Sequence, residues 1–298
     1  MKKVGFIGTG IMGRRMCIRI VNAGYEVYVN DINPDSYQEI VKLGGKSVAT
    51  PAEVGKNSDV VLASLPNSKI IESVMFGKNG LHSGLSAGKV FIDLSSSQAS
   101  STQMISKRLE EIGVKMLDAP VSGGAKGAEE GKLTIMIGGS KDTLDESKDI
   151  LDILGSNIRH VGDIGAGNIV KAINQVLFSM NTVVAAEAVV LGTKAGVDPG
   201  ILLEVINSGS GQSYATSQKI INFTFKRNFT PGFTLDLMAK DMDIALNMGR
   251  ELKVPMQMAN IAREALLTAQ NKGLGGNDCT AVIQLLEEIT GVTVKPIS

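Results

Sequence analysis

One string near the start of the chain constrains the fold more than any other: Gly8-Thr9-Gly10-Ile11-Met12-Gly13. It lies between a β-branched apolar run at residues 4–7 and a helical pattern through Ile11, Met16, Ile20 and Val21. In a strand–GxGxxG–helix succession the first glycine makes a tight turn. The second lets the backbone approach a pyrophosphate, and the third lets helix and strand pack closely. The helix N-terminus adds amide donors and the positive end of its dipole. The string therefore predicts the first βα unit of a Rossmann-type doubly wound sheet, with a dinucleotide held at Gly8, Gly10, Ile11, Met12 and Gly13.

The rest of the first half supports that reading. A second strand at residues 26–30 (EVYVN) leads to Asp31, about 18 residues beyond Gly13. A carboxylate there accepts the ribose hydroxyls of adenosine and repels a 2′-phosphate. No Arg follows in Ile32-Asn33-Pro34-Asp35, so NAD is the expected cofactor and NADP the less favoured one. A helix is expected at 34–43, and Thr50-Pro51-Ala52-Glu53 is a capping box opening another. Further strands are expected at 60–65, 90–94, 115–117 and 134–137. Strands alternating with helices imply right-handed crossovers and a mainly parallel sheet.

After Gly162 the pattern changes. Residues 167–195 hold no Pro and one internal glycine, Gly192, while Ile169, Ile173, Val176, Met180, Val184 and Leu191 recur at helical spacing. About 29 residues at ~1.5 Å each make a rod of about 43 Å. Helical patterns continue at 201–207, 235–252, 258–272 and 280–290, with almost no strand signal. The expected architecture is α/β: a Rossmann-type NAD-binding domain over residues 1–163, then an all-α domain over 164–298, joined by a long interdomain helix.

Composition narrows the function. Thirty Lys+Arg balance thirty Asp+Glu, and a polyanion binder needs a basic excess, so no nucleic-acid partner is expected. Cys17 and Cys279 lie far apart, which suits reduced thiols in a cytoplasmic protein. Two histidines, His82 and His160, with no HExxH, give no expected metal site. Apolar runs are too short for an expected membrane span, and the glycines with Arg14 and Arg15 break the apolar start that Lys2 and Lys3 precede. Short-chain dehydrogenases need YxxxK, but Tyr25, Tyr28, Tyr37 and Tyr214 have Val29, Ile32, Val41 and Gln218 four residues on.

Two further stretches carry chemistry. Asp118-Ala119-Pro120-Val121-Ser122-Gly123-Gly124 follows a strand and exposes backbone amides and a hydroxyl, which suits a carboxylate. Residues 162–171 (GDIGAGNIVK) enter the long helix, where Lys171, Asn174 and Gln175 stand at i, i+3 and i+4 on one face. A lysine beside a helix N-terminus and a second cation has its ammonium form disfavoured, while an anionic substrate opposes that effect.

With GFIGTGIMG at the start, DAPVSGG at 118–124, GDIGAGNIVKAINQ at 162–175 and Ala239-Lys240-Asp241, the chain resembles the 3-hydroxyisobutyrate dehydrogenase family of β-hydroxyacid dehydrogenases over nearly its whole length. Tartronate semialdehyde reductases and 2-(hydroxymethyl)glutarate dehydrogenases are near kin, and residues 125–134 and 208–215 look most like the latter. The resemblance implies hydride transfer between NAD and a short β-hydroxyacid or semialdehyde, with 3-hydroxyisobutyrate first among substrates and the two kindred activities as alternatives. It implies Lys171 as acid/base with Asn174 beside it, and Ser122, Gly123, Gly124 and Gln175 on the substrate. It also implies Leu65, Pro66, Ser96 and Lys240 on the dinucleotide, and a homodimer or homotetramer through the helical domain. The family pattern often has Asn four residues after the lysine, where this chain has Gln175, with Asn174 at three, so which amide meets substrate stays open. Imine reductases share the architecture, but Lys171 speaks against them. A non-catalytic dinucleotide sensor is the remote alternative, and it would need neither Lys171 nor the Ser-Gly-Gly turn.

Overall fold

Strand β1 (Lys3–Ile7) of the computed structural model, which describes residues 2–297, sends alternate side chains into two cores. Val4 and Phe6 enter one, and Ile7 enters the other. The chain continues through α1 (Ile11–Asn22), β2 (Glu26–Asn30), α2 (Gln38–Lys42), β3 (Lys46–Ser47), α3 (Pro51–Asn57), β4 (Val60–Ala63) and α4 (Ser68–Phe76). Then come β5 (Val90–Asp93), α5 (Ala99–Glu110), β6 (Lys115–Asp118), β7 (Val121–Ser122), α6 (Gly124–Glu130), β8 (Leu133–Gly138), α7 (Lys141–Leu154) and β9 (Gly155–Gly162). The same alternation recurs along the sheet: Leu62 and Ile92 join Phe6, whereas Val61 and Phe91 join Ile7. Every residue of β4 and β5 is buried, as strands covered on both faces require.

The strands lie in the order β3-β2-β1-β4-β5-β6-β8-β7, with β9 on β8. From β3 to β6 all pairs are parallel, while β8 runs antiparallel to β6 and β7. The order reverses between β1 and β4, so the loops after these strands diverge there and leave a crevice of the kind that holds dinucleotides. Two expectations change in detail. Residues 34–43 are not one helix: Asn33 caps a 3₁₀ turn, Pro34–Tyr37, before α2 begins. The strand expected at 60–65 ends at Ala63, because the Leu65 amide donates to the Ser95 hydroxyl at 2.8 Å instead of extending the ladder.

A first compact unit ends at Lys171 and a second begins at Ala172. The division falls inside α8 (Ala166–Lys194), beyond the change of sequence pattern at Gly162. The reason is local: the first turn of α8 is hydrogen-bonded to Asp118 at the end of β6.

The second unit is helical. It holds most of α8, then α9 (Pro199–Ser208), a π-helix at Ala215–Thr224, α10 (Leu235–Glu251), α11 (Gln257–Asn271) and α12 (Ile283–Thr290). A 3₁₀ turn, Cys279–Val282, precedes α12, where one helix over 280–290 is expected from sequence. Asp278 clamps this unit from within. Its Oδ2 accepts from Lys219 Nζ on the π-helix at 2.7 Å and from the Gly232 and Phe233 amides, and Oδ1 accepts from Thr280. Helix α8 is apolar on two faces. Val176, Val183 and Val190 are in the core, but Ile173, Leu177, Val184 and Leu191 are 51–71% exposed. By length and composition alone α8 also qualifies as a bilayer span.

Candidate active site

The glycine string sits where its sequence predicts. Gly8 follows β1 with φ of 87°, and a side chain there would collide with the Ser64 carbonyl. Gly13, on α1, packs so closely on Gly8 that a Cβ would strike the Gly8 carbonyl. Gly10 differs: it is the N-cap of α1, no side chain caps the helix, and nothing lies within 4 Å of a Cβ built there. The α1 N-terminus, with Ile11 and Met12 in its first turn, is thus an uncapped row of amides beside open space. Such a cradle fits a dinucleotide pyrophosphate.

Asp31 closes the cradle from β2. Oδ2 accepts from the Thr9 amide at 2.6 Å and the Thr9 hydroxyl at 3.2 Å, and Oδ1 accepts from the Asn33 amide at 2.8 Å. A carboxylate offers about four acceptor positions, so capacity remains on Oδ1. Leu65 and Pro66 follow β4, and Ser96 follows β5 between the buried residues Ser95 and Ser97. The two loops are tied together by Leu65 N to Ser95 Oγ, and by the Ser97 hydroxyl donating to Ser68 Oγ at 2.9 Å.

Ser122 ends the short strand β7, and Gly123 and Gly124 follow with φ of 130° and 64°. Both angles lie where L side chains are strained, so glycine is required to turn the chain into α6. Gly123 and Gly124 are exposed and Ser122 half-buried, leaving amides and hydroxyl accessible. Lys171, by contrast, is only 7% exposed, in the second turn of α8.

Three candidates lie in the second unit. Asn174 Nδ2 donates to Gln175 Oε1 at 3.0 Å, and Gln175 Nε2 donates to Asp241 Oδ2 at 2.6 Å. Lys240 Nζ stands 2.7 Å from Asp241 Oδ1. Asp241, 3% exposed, thereby joins Gln175 to Lys240, a role the sequence does not announce although the Ala-Lys-Asp string contains it. Two buried carboxylates in the first unit, Asp93 and the Asp118 that opens the 118–124 stretch, have surroundings that the sequence does not announce. Asp93 and Asp118 are register partners at the ends of β5 and β6. Burial pushes the Asp93 carboxyl up to about 7, against the opposing Ser95 hydrogen bonds and with help from Asp118. Burial also raises Asp118, while the amides of Gly165 and Asn168 pull it back. Among the described residues no group of three or more His, Cys, Asp or Glu could hold a metal ion.

Comparison with known proteins decides the family. Residues 3–162 match the model of the NAD binding domain of 6-phosphogluconate dehydrogenase. Residues 165–286 match that of the NAD-binding of NADP-dependent 3-hydroxyisobutyrate dehydrogenase. The chain is 41% identical over 293 residues to 2-(hydroxymethyl)glutarate dehydrogenase of Eubacterium barkeri, covering 98% of this chain and 97% of that one. The chain belongs to the 3-hydroxyisobutyrate dehydrogenase family of β-hydroxyacid dehydrogenases. It is also 35% identical over 288 residues to 2-hydroxy-3-oxopropionate reductase of Escherichia coli, covering 96% and 97% of the two chains. A solved structure of 3-hydroxyisobutyrate dehydrogenase from Mycobacterium tuberculosis, with L-serine, superposes with a TM-score of 0.89 at 27% identity. It covers 96% of this chain and 99% of that one. Membership of this family supplies the α/β dinucleotide unit, the helical unit and the enzyme class, a nicotinamide-dependent oxidoreductase acting on a CH–OH group.

Proposed function

We propose that this family member oxidises a short β-hydroxyacid with NAD, with Lys171 as the acid/base. The observation that carries the reading is a nearly buried lysine on α8, in the unit that also holds the glycine cradle and the Ser-Gly-Gly turn. When bound, the dinucleotide supplies the hydride acceptor. The Gly8–Gly13 turn, Ile11, Met12, Asp31, Leu65, Pro66 and Ser96 would hold it. Ser122 Oγ and the amides of Gly123 and Gly124 grip the substrate carboxylate through charge-assisted hydrogen bonds. Neutral Lys171 Nζ takes the hydroxyl proton as the carbinol hydride leaves, and returns it in the reverse direction. Asn174 is the amide we assign to the substrate, because both ends of the Gln175 amide are engaged by Asn174 and Asp241.

NAD over NADP rests on Asp31, whose fixed charge faces any 2′-phosphate. The 41% identity to 2-(hydroxymethyl)glutarate dehydrogenase, against 35% to 2-hydroxy-3-oxopropionate reductase, puts a hydroxymethyl dicarboxylate at the head of the substrates to try, beside 3-hydroxyisobutyrate and tartronate semialdehyde. The exposed apolar face of α8 supports assembly with further copies of the chain.

The test is steady-state turnover, for wild type and Lys171→Ala, of the two hydroxyacids with NAD and with NADP and of tartronate semialdehyde with NADH and with NADPH. Loss of general acid–base catalysis is worth about 10²–10⁴-fold in kcat, with dinucleotide affinity nearly unchanged. Turnover of no hydroxyacid would favour the sensor reading, and a Lys171→Ala enzyme keeping a tenth of its kcat would remove Lys171 from the chemistry.

A further inference from the structure

The entry to α8 is held in part by a side chain from outside the helix. Asp118, at the end of β6, is fully buried, and each of its carboxylate oxygens accepts a backbone amide from the helix entry. Gly165 N donates to Oδ1 at 2.7 Å, and Asn168 N donates to Oδ2 at 2.8 Å. An acid 47 residues upstream of Gly165 thus satisfies amides that a local N-cap residue normally serves. Glycines make the fit possible. A Cβ at Gly167 would stand 2.9 Å from Asp118 Oδ2, and one at Gly138 would collide with Oδ1.

A second clamp comes from the helix itself. Asn168 is 2% exposed; its Oδ1 accepts from the Ser97 amide at 2.8 Å, and its Nδ2 donates to Thr102 Oγ1 at 3.2 Å. Ser97 Oγ in turn donates to Ser68 Oγ, which also accepts from the Gln98 amide at 2.9 Å. Asn168 therefore binds α8 to the loop after β5, the loop that carries Ser96. Lys171 follows Asn168 by three residues, on the same helical face.

We propose that Asp118 and Asn168 are positioning residues for Lys171. Asp118 fixes the height and axis of α8, and Asn168 fixes its rotation against the Ser95–Ser97 loop. The inference rests on the reading of Lys171 as the acid/base. Its physical content is rigidity: general acid–base transfer needs Nζ within hydrogen-bond reach of the hydroxyl, and misplacement by about 1 Å can cost about 10²-fold. Neither residue needs to touch substrate or dinucleotide.

The experiment uses the full chain and measures kcat, KM, dinucleotide Kd and Tm for four single variants and one double variant. Asp118→Asn keeps the shape of the side chain but sets an NH₂ group against a backbone N–H. Asn168→Ala removes both Asn168 contacts, whereas Asn168→Asp keeps an acceptor for Ser97 N. Lys171→Ala provides the reference, and Lys171→Ala with Asn168→Ala closes a double-mutant cycle. The expected result is a kcat lowered about 10²-fold in Asn168→Ala and Asp118→Asn, with dinucleotide Kd within about threefold of wild type. Asn168→Asp should recover most of the kcat, and Asn168→Ala should cost little further once Lys171 is gone. Should Asp118→Asn fail to fold, the Asn168 pair alone decides. A full additive loss in the Lys171→Ala background, or no recovery in Asn168→Asp, would overturn the positioning role. Retention of activity by Lys171→Ala alone would instead overturn the acid/base reading on which it rests.

Discussion

At the scale of single residues, two carboxylates differ in environment and hence in expected behaviour. Asp31 is held by the amides of Thr9 and Asn33 at the cradle's edge. Its charge is the basis for choosing NAD, so wild type should favour NAD over NADP by at least about tenfold in kcat/KM. Asp31→Ser should erode that ratio, and equal use of both cofactors by the wild type would remove Asp31 from the selection. Asp93 is sealed in the sheet with its carboxyl raised to about 7, and its Oδ2 has no partner among the described residues. In the unfolded chain the same group titrates near 4. Between about pH 4 and 7 the folded state keeps a proton that the unfolded state has released, so stability falls as pH rises through that window. The penalty is fully present above the folded value and absent below the unfolded one. Asp93→Asn should therefore raise Tm at pH 8 and change it little at pH 4, with a ceiling of about 4 kcal/mol from the width of the window. A Tm gain of the same size at both pH values would show that titration is not its cause.

At the scale of elements, legibility follows the strength of the repeating pattern. Helix α8 gives about eight turns of apolar spacing and is readable to within a residue at each end. The pairs Lys46–Ser47 and Val121–Ser122 are strands of two residues, too short to show any alternation, and they exist only because a neighbouring strand offers partners. Strand β9 (GSNIRHVG) is mostly exposed or half-buried, so it lacks the apolar signature of the central strands. The π-helix is anchored by the buried Lys219–Asp278 pair, whose partners lie 59 residues apart, while Lys219 also stands 3.9 Å over the Phe223 ring within the same helix. The site divides in the same way. The glycine string and Lys171 stand out locally, whereas Asp118, Asn168 and Asp241 gain their meaning from partners 47 to 71 residues distant. Capping is one local signal that survives at this scale. Thr234 opens α10 and accepts from the Leu237 amide at 3.2 Å. Thr234→Ala should cost about 1 kcal/mol of stability. Thermal or urea unfolding measures this, and an unchanged midpoint would mean that another group satisfies the amide.

At the scale of the whole molecule, the outer face of α8 is a surface in search of cover. Ile173, Leu177, Val184 and Leu191 form one apolar stripe, and Ile201 and Val205 of α9 are exposed at 60% and 64%. A soluble monomer rarely leaves such a stripe to water. Leu177→Glu with Leu191→Glu should shift the sedimentation coefficient to that of a smaller species, while Val176 and Val190 on the core face remain untouched. An unchanged species in that variant would remove this stripe from the proposed assembly. The seating of α8 on Asp118 has another consequence, for anyone who would divide the gene. A fragment cut at the change of sequence pattern, after Asp163, would lose Gly165 and Asn168 and strand a fully buried carboxylate without its two amide donors. An isolated charge in that position is costly enough to unravel the end of β6. A dinucleotide-binding fragment that stands alone must therefore carry the opening turns of the next domain's helix as its own last segment.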